Sequence, residues 1–274
     1  MTGVPVTGGE ILDELRVIGV RPGMKLMVHS SLKSFGQVEG GALTVIRALM
    51  DAVGPEGTLL MPSFNHGDIF GESAGVAYEP LVTPTSNGII PDTFWRQSGV
   101  RRSLNPTHPF ACWGRDADRY TARHHETLTM GEDSPLGLLA HEGGFQVNLG
   151  TTHETTTAKH VAETMRRVPC LGYRTEEHPV RMPDGSVKRL RTWSWRSAEC
   201  PLTESGALIE EEMERSRSQV KGRIGECLAV FFRIRDCLEA VWRLLDNGRG
   251  AAPPCARCPI RPLRSSRTVP SDWV

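Results

Sequence analysis

Apolar positions along the chain fall into two periods, and the switches between them outline the elements. Glu10 to Leu15, with Val17 and Ile18, carry a helical pattern that the turn GVRPG stops. KLMVHSSL follows as an apolar run of strand length ending in serines. In GGALTVIRALMDAVG, residues Leu43, Ile46, Leu49, Met50 and Val53 recur at helical spacing, and Gly54 ends the helix. GTLLMPSF is the next predicted strand. Strand, loop, helix, strand is the order of a sheet covered by helices.

Residues 65–107 are rich in Gly, Pro, Asn, Ser and Thr, and read as a long loop holding one short helix at IIPDTFWRQSG. Loops of that length in a compact domain tend to carry function. Turn signals occupy residues 138–144, and GFQVNLG is the third clear strand. TTTAKHVAETMRRV predicts a helix with a threonine as N-cap. VRMPDGSVKRLRTWSW predicts a hairpin about Pro-Asp-Gly. ECLAVFFRIRDCLEAVWRLLDNG reads as one strong apolar helix ended by Gly248, and residues 248–274 as a loose tail. Neither a repeat nor a linker interrupts the pattern, so the expectation is a single α/β domain over residues 1–274.

Composition changes this picture little. Hydrophobic residues are 39% and charged residues 23%, ordinary for a globular protein with a real core. Lys and Arg number 32, as do Asp and Glu, so the basic excess of a nucleic-acid binder is missing. No apolar stretch approaches the roughly 18 residues of a membrane span. The first twenty residues lack the pattern of a signal peptide. The seven cysteines are expected to be reduced thiols of a cytoplasmic protein. Cys255 and Cys258 form the one CxxC, half of what a structural zinc site requires.

The chemistry concentrates in GTTHETTTAKHVAE, residues 150–163, with five threonines, two histidines and two glutamates. Glu163 lies three residues after His160 and shares its helical face. A carboxylate beside an imidazole fixes its tautomer, as a general base requires. The same residues, with His153 and Glu154, allow a metal site, although the spacing is not HExxH and no second HxxE completes a two-metal set. A third reading has His160 packed and hydrogen-bonded with the glutamates solvated. The residues of this segment leave all three open.

Six stretches in order narrow the choice: VHSSLKSFG, GTLLMPSF, PDTFW, VRRSLNPTHPFACWG, SPLG and LGTTHETTTAKHVAE. Together they resemble the aminoglycoside 3-N-acetyltransferase family, over residues from about 10 to 248. The resemblance implies a three-layer α/β/α sandwich around a mixed sheet. It also implies transfer of acetyl from acetyl-coenzyme A to the 3-amino group of the deoxystreptamine ring of aminoglycosides, conferring antibiotic resistance. No metal takes part in that reaction. A Thr-x-x-His-x-x-Glu element falls on Thr157, His160 and Glu163. It makes His160 the general base, supported by Glu163 and Glu154 jointly, and gives Thr157 a donor role toward the oxyanion.

The resemblance further places Ser30, Ser31, Leu32 and Lys33 along pantetheine and pyrophosphate, and Arg102 and Ser103 on the coenzyme phosphates. His29 and His108 are candidates to face the same site. A polycationic acceptor demands an acidic pocket. Asp68, in FNHGDIF, stands where relatives place an acid meeting the substrate amines, with Glu72, Glu176, Glu177 and Glu199 as further contributors. The chain departs from some relatives at RTWSWRSAEC, where Trp193, Trp195 and Arg196 replace a run of acids. The partners implied are a small-molecule aminoglycoside, with neither nucleic acid nor membrane, in a monomer or homodimer. The competing functions are acetylation of another amine in antibiotic biosynthesis, a metal-dependent hydrolase using His153, His160 and Glu163, and a non-catalytic binding protein.

Overall fold

The computed structural model describes residues 4–65, 76–166, 173–174, 177–194 and 206–246. The strands in chain order are β1 Lys25–Ser30, β2 Thr58–Pro62, β3 Arg101–Arg102, β4 Phe110–Gly114, β5 Phe145–Leu149, β6 Tyr173–Arg174, β7 His178–Arg181, β8 Val187–Leu190, β9 Trp193–Ser194, β10 Gln219–Ile224 and β11 Cys227–Arg233. The helices are α1 Gly8–Val17, α2 Ala42–Val53, α3 Ile89–Phe94, α4 Ala117–Thr121, α5 Pro135–His141, α6 Ala158–Met165, α7 Gly206–Arg215 and α8 Ile234–Asp246. Single 3-10 turns span Leu32–Phe35 and His153–Thr155.

Seven strands form one mixed sheet in the order β10-β11-β5-β1-β2-β4-β3. Its centre, β5-β1-β2, is parallel, and the flanking pairs are antiparallel. Parallel strands are covered on both faces, so they read as continuous apolar runs rather than alternating ones. Within β1 the alternation is still visible in where side chains go. Leu26 and Val28 join the core beneath α1, α2 and α3, whereas Met27 joins the opposite core beneath α4 to α8. Two cores on the two faces of one sheet make the three layers that the resemblance implied.

Several expectations hold. Helix α1 opens with a capping box between Thr7 and Glu10. Helix α2 stops at Gly54, which has φ of +66°. Strands β7 and β8 form the hairpin about the Pro-Asp-Gly turn. The long apolar run at 226–248 is a correction: it is a strand, β11, that turns into α8 at Ile234. Val230 and Phe232 face one core, and Ala229 and Phe231 the other. That two-sided burial hides the period of 2, and no Gly or Pro marks the strand-to-helix switch. FACWG, within the PFACWG stretch, is strand β4, and residues 135–141 form a helix ahead of the turn at Gly143.

Candidate active site

The parallel strands β5, β1 and β2 end side by side, and the segments leaving them shape a pocket of about 240 Å³. Its wall includes His29, Ser30, Phe64, Thr151, Thr155 and Thr157. The carboxyl end of an open α/β sheet is the usual place for a ligand. Gly150, with φ of +68°, makes the turn out of β5 possible: a Cβ there would sit 1.7 Å from Ser34 Oγ. Ser31 N–H donates to the Leu149 carbonyl at 2.9 Å, tying the loop after β1 to the end of β5.

Helix α6 carries His160 and Glu163. His160 Nδ1 lies 2.9 Å from Glu163 Oε2, and both side chains are buried. The carboxylate accepts from Nδ1–H, so the lone pair of the neutral ring is on Nε2. Trp242 Nε1 donates to the Ala162 carbonyl at 3.0 Å and fixes α6 against α8. Glu154 is exposed; its carbonyl accepts from the buried Lys159 ammonium at 2.7 Å. Of the two glutamates expected to support His160, Glu163 makes the contact described. His160 is outside the 240 Å³ pocket wall, which holds Thr157 one turn before it.

His29 projects from β1 toward α6. Its Nε2 accepts from the Thr157 N–H at 3.4 Å and lies 3.2 Å from Thr157 Oγ1. Burial, and then the nearby Lys159 ammonium, push the His29 pKa down to about 3, so the ring is neutral.

His153 is committed elsewhere. Thr156 Oγ1 accepts from the side-chain amides of Gln146 and Asn148, at 3.2 and 3.1 Å. Its own hydrogen is then directed to His153 Nδ1 at 3.3 Å. His153 Nε2–H in turn donates to Gln219 Oε1 at 2.8 Å, with Glu210 Oε2 at 3.3 Å. Both ring nitrogens serve this buried network, which removes His153 from the hydrolase reading. Among the described residues no group of three or more His, Cys, Asp or Glu side chains is placed to hold a metal ion.

The coenzyme candidates divide. Ser30 Oγ and Thr151 Oγ1 are buried in the pocket wall without a hydrogen-bond partner among the described residues. Such hydroxyls are costly unless a ligand satisfies them. Ser31 and Leu32 are half-buried in the adjoining loop, and Lys33 is exposed.

Arg102 is engaged within the protein. Its guanidinium donates to the carbonyls of Ser63 at 2.9 Å, Pro80 at 3.3 Å and Thr83, between the rings of Trp95 and Tyr78. It is a buried staple whose described hydrogen bonds all go to carbonyls. Ser103 is engaged in the same way. Its hydroxyl accepts from Phe110 N–H and donates to His124 Nδ1, each at 2.9 Å, and His124 Nε2–H reaches the Thr129 carbonyl. His108 is buried, bonded to Thr107 Oγ1 at 2.8 Å, with its ring 4.9 Å from that of the pocket residue Phe64. Glu177 is paired with Arg189 and Arg191. Asp68, Glu72, Glu176, Glu199, Trp195, Arg196, Cys255 and Cys258 lie outside the described residues.

The site residues not anticipated individually are Thr151, Thr155, Phe64, Asn87 and Lys159. The run of threonines was the available signal for the first two, since both belong to the turn that leaves β5.

Comparison with known proteins bears on the family and the fold. Residues 27–246 match the family described as Aminoglycoside 3-N-acetyltransferase. Aminoglycoside N(3)-acetyltransferase IV of Salmonella sp is 34% identical over 232 residues, 83% of this chain and 82% of its own length. Among solved structures, aminoglycoside acetyltransferase AAC(3)-IVa, as a histidine-to-alanine mutant in complex with a gentamicin, superposes with a TM-score of 0.77 at 29% identity. That match covers 94% of this chain and 96% of the other. AAC-IIIb in a binary complex with CoASH superposes with a TM-score of 0.79 at 26% identity, over 92% of this chain and all of that one. No helix among the described residues is long and apolar enough to cross a membrane.

Proposed function

The chain belongs to the aminoglycoside 3-N-acetyltransferase family, and from that premise we propose that it acetylates the 3-amino group of an aminoglycoside with acetyl-coenzyme A as cosubstrate. The observation that carries this reading is the His160–Glu163 hydrogen bond at 2.9 Å on the helix after β5. Acetyl-coenzyme A supplies an acetyl group activated as a thioester. His160 Nε2 takes a proton as the amine nitrogen bonds to the acetyl carbonyl carbon. Glu163 holds the ring in the correct tautomer and stabilises its charged form. The carbon–sulfur bond breaks, and the imidazolium returns its proton to the departing thiolate, so the products are the acetamide and free coenzyme A.

Thr157, at the pocket wall, donates toward the carbonyl oxygen as negative charge builds on it. Ser30 and Thr151 in the pocket wall, with Ser31, Leu32 and Lys33 in the adjoining loop, hold the coenzyme. Asp68 meets the cationic acceptor, with Glu72 and Glu199 as further acids. The pairing of a gentamicin complex and a coenzyme complex among structural neighbours supports both substrates.

The test is thiol release from acetyl-coenzyme A against an aminoglycoside panel that includes one drug without a free 3-amino group. Turnover on all but that drug establishes reaction and position. Turnover on none, with coenzyme A still bound, replaces the aminoglycoside with another amine.

A further inference from the structure

We propose that His29 is a positioning residue for Thr157, holding its backbone N–H and hydroxyl at the pocket wall; the proposal rests on the donor role given to Thr157 above. The two residues are 128 positions apart in the chain. Alternation along β1 sends Met27 and His29 to the face covered by α6, so the strand itself delivers the imidazole under the helix start.

Thr157 occupies the N-cap place of α6 without acting as an ordinary cap. A capping threonine has extended backbone and accepts a bond from an N–H further into the helix. Thr7 does this, with φ −91°, ψ 161° and the Glu10 N–H on its hydroxyl. Thr157 instead has φ −66° and ψ −24°, and its side chain makes no cap bond. Its N–H and hydroxyl both turn to His29 Nε2, at 3.4 and 3.2 Å, and the hydroxyl also reaches the Thr155 carbonyl at the longer distance of 3.5 Å.

Because an N–H donates to Nε2, that nitrogen carries the lone pair and the His29 proton is on Nδ1. The threonine hydroxyl rests against the same lone pair, one rotation about its Cβ–Oγ bond from a new acceptor. An anionic oxygen forming in the pocket outcompetes a neutral imidazole for that hydrogen. The N–H meanwhile remains on His29 and keeps the helix start in place. His29 acts through Thr157 and touches no reacting atom in this scheme.

The test is a double-mutant cycle with His29→Leu and Thr157→Val, assayed with acetyl-coenzyme A and gentamicin, with His29→Gln as rescue. Gln places an amide oxygen near the position of Nε2. Loss of the bond in His29→Leu is expected to lower kcat about 10-fold or more, with KM for acetyl-coenzyme A within about threefold. His29→Gln recovers most of that loss. In the Thr157→Val background, His29→Leu adds less than about threefold.

Full additivity of the two losses, or an effect confined to KM, overturns the role of His29 while Thr157 keeps its own. An unchanged kcat in Thr157→Val overturns the donor reading and the positioning role with it. Should His29→Leu fail to fold by near-ultraviolet circular dichroism, nitrogen-15 spectra of labelled histidine in the unaltered protein decide. The Nδ1–H tautomer of His29 at neutral pH supports the proposal, and Nε2–H overturns it.

Discussion

Glu163 Oε2 stands 2.9 Å from His160 Nδ1, one turn along the same helix, and both groups are buried. In the proposed reaction the carboxylate is thereby fixed to the nitrogen that does not meet the acceptor amine. Replacing His160 by Ala removes the proposed base and is expected to lower kcat by roughly 10²–10⁴. Glu163→Gln keeps the shape and loses the charge. A hydrogen bond to a charged group is worth about 1.5–3 kcal/mol, which corresponds to a fall in kcat on the order of 10- to 150-fold. Steady-state kinetics of both variants check this, and a change under about threefold in either removes that residue from the reaction.

Arg102 is expected to matter for stability and hardly at all for the coenzyme. Its guanidinium satisfies three carbonyls and lies 4.7 Å from the Trp95 ring centre. Arg102→Met leaves those acceptors unpaired, at about 1–3 kcal/mol each where water cannot reach them. Urea unfolding should register a loss of about 3 kcal/mol or more, with KM for acetyl-coenzyme A within about threefold. A large rise in KM at unchanged stability would return Arg102 to the coenzyme.

Acid stability should depend on Glu142. Hydrogen bonds from Arg119, at 2.6 and 2.8 Å, and then from Lys25 and Tyr120 hold its carboxyl down to about 2. The folded value lies below the unfolded one, so this stabilisation is complete above about pH 4.3 and is lost as pH falls toward 2. With 27% of the side chain exposed, the contribution is about 1–2 kcal/mol after allowance for solvent screening. The gap in unfolding free energy between the natural chain and Glu142→Gln should close between pH 4.3 and 2. A gap that persists unchanged at the acid end contradicts the assignment.

Asp68 is expected to contribute binding energy to ground and transition states alike. Asp68→Asn should then raise KM for a cationic acceptor and leave kcat nearly unchanged. Saturation curves against an aminoglycoside measure both, and an unaltered KM takes Asp68 out of the pocket.

Legibility from sequence followed how locally each feature was encoded. The three parallel strands were readable because each is a short apolar run ending in turn residues, and His160 with Glu163 because one helical turn relates them. The contacts of Arg102 and Ser103 were not legible because their partners, such as Thr83, Tyr78 and His124, are distant in the chain or contribute only backbone carbonyls. The same holds for His153, whose neighbours Gln219 and Glu210 arrive from β10 and α7. Glu154 was plausible by proximity in sequence, but the 3-10 turn His153–Thr155 leaves its side chain in solvent.

The tip of β1 also behaves as a reading frame. Consecutive residues there have unlike places: His29 sits under Thr157, and Ser30, in the pocket wall, has a buried hydroxyl with no hydrogen-bond partner among the described residues. The pairings Leu26↔Leu59 on one side and His29↔Asn148 on the other hold that frame. A slip of one position would carry the imidazole to the α1–α2 side and set a neighbour in its place, with every apolar residue of the strand still buried in one core or the other. Because both faces of this strand are greasy, packing alone penalises such a slip weakly. The polar tip is what distinguishes the working alignment from its shifted copy.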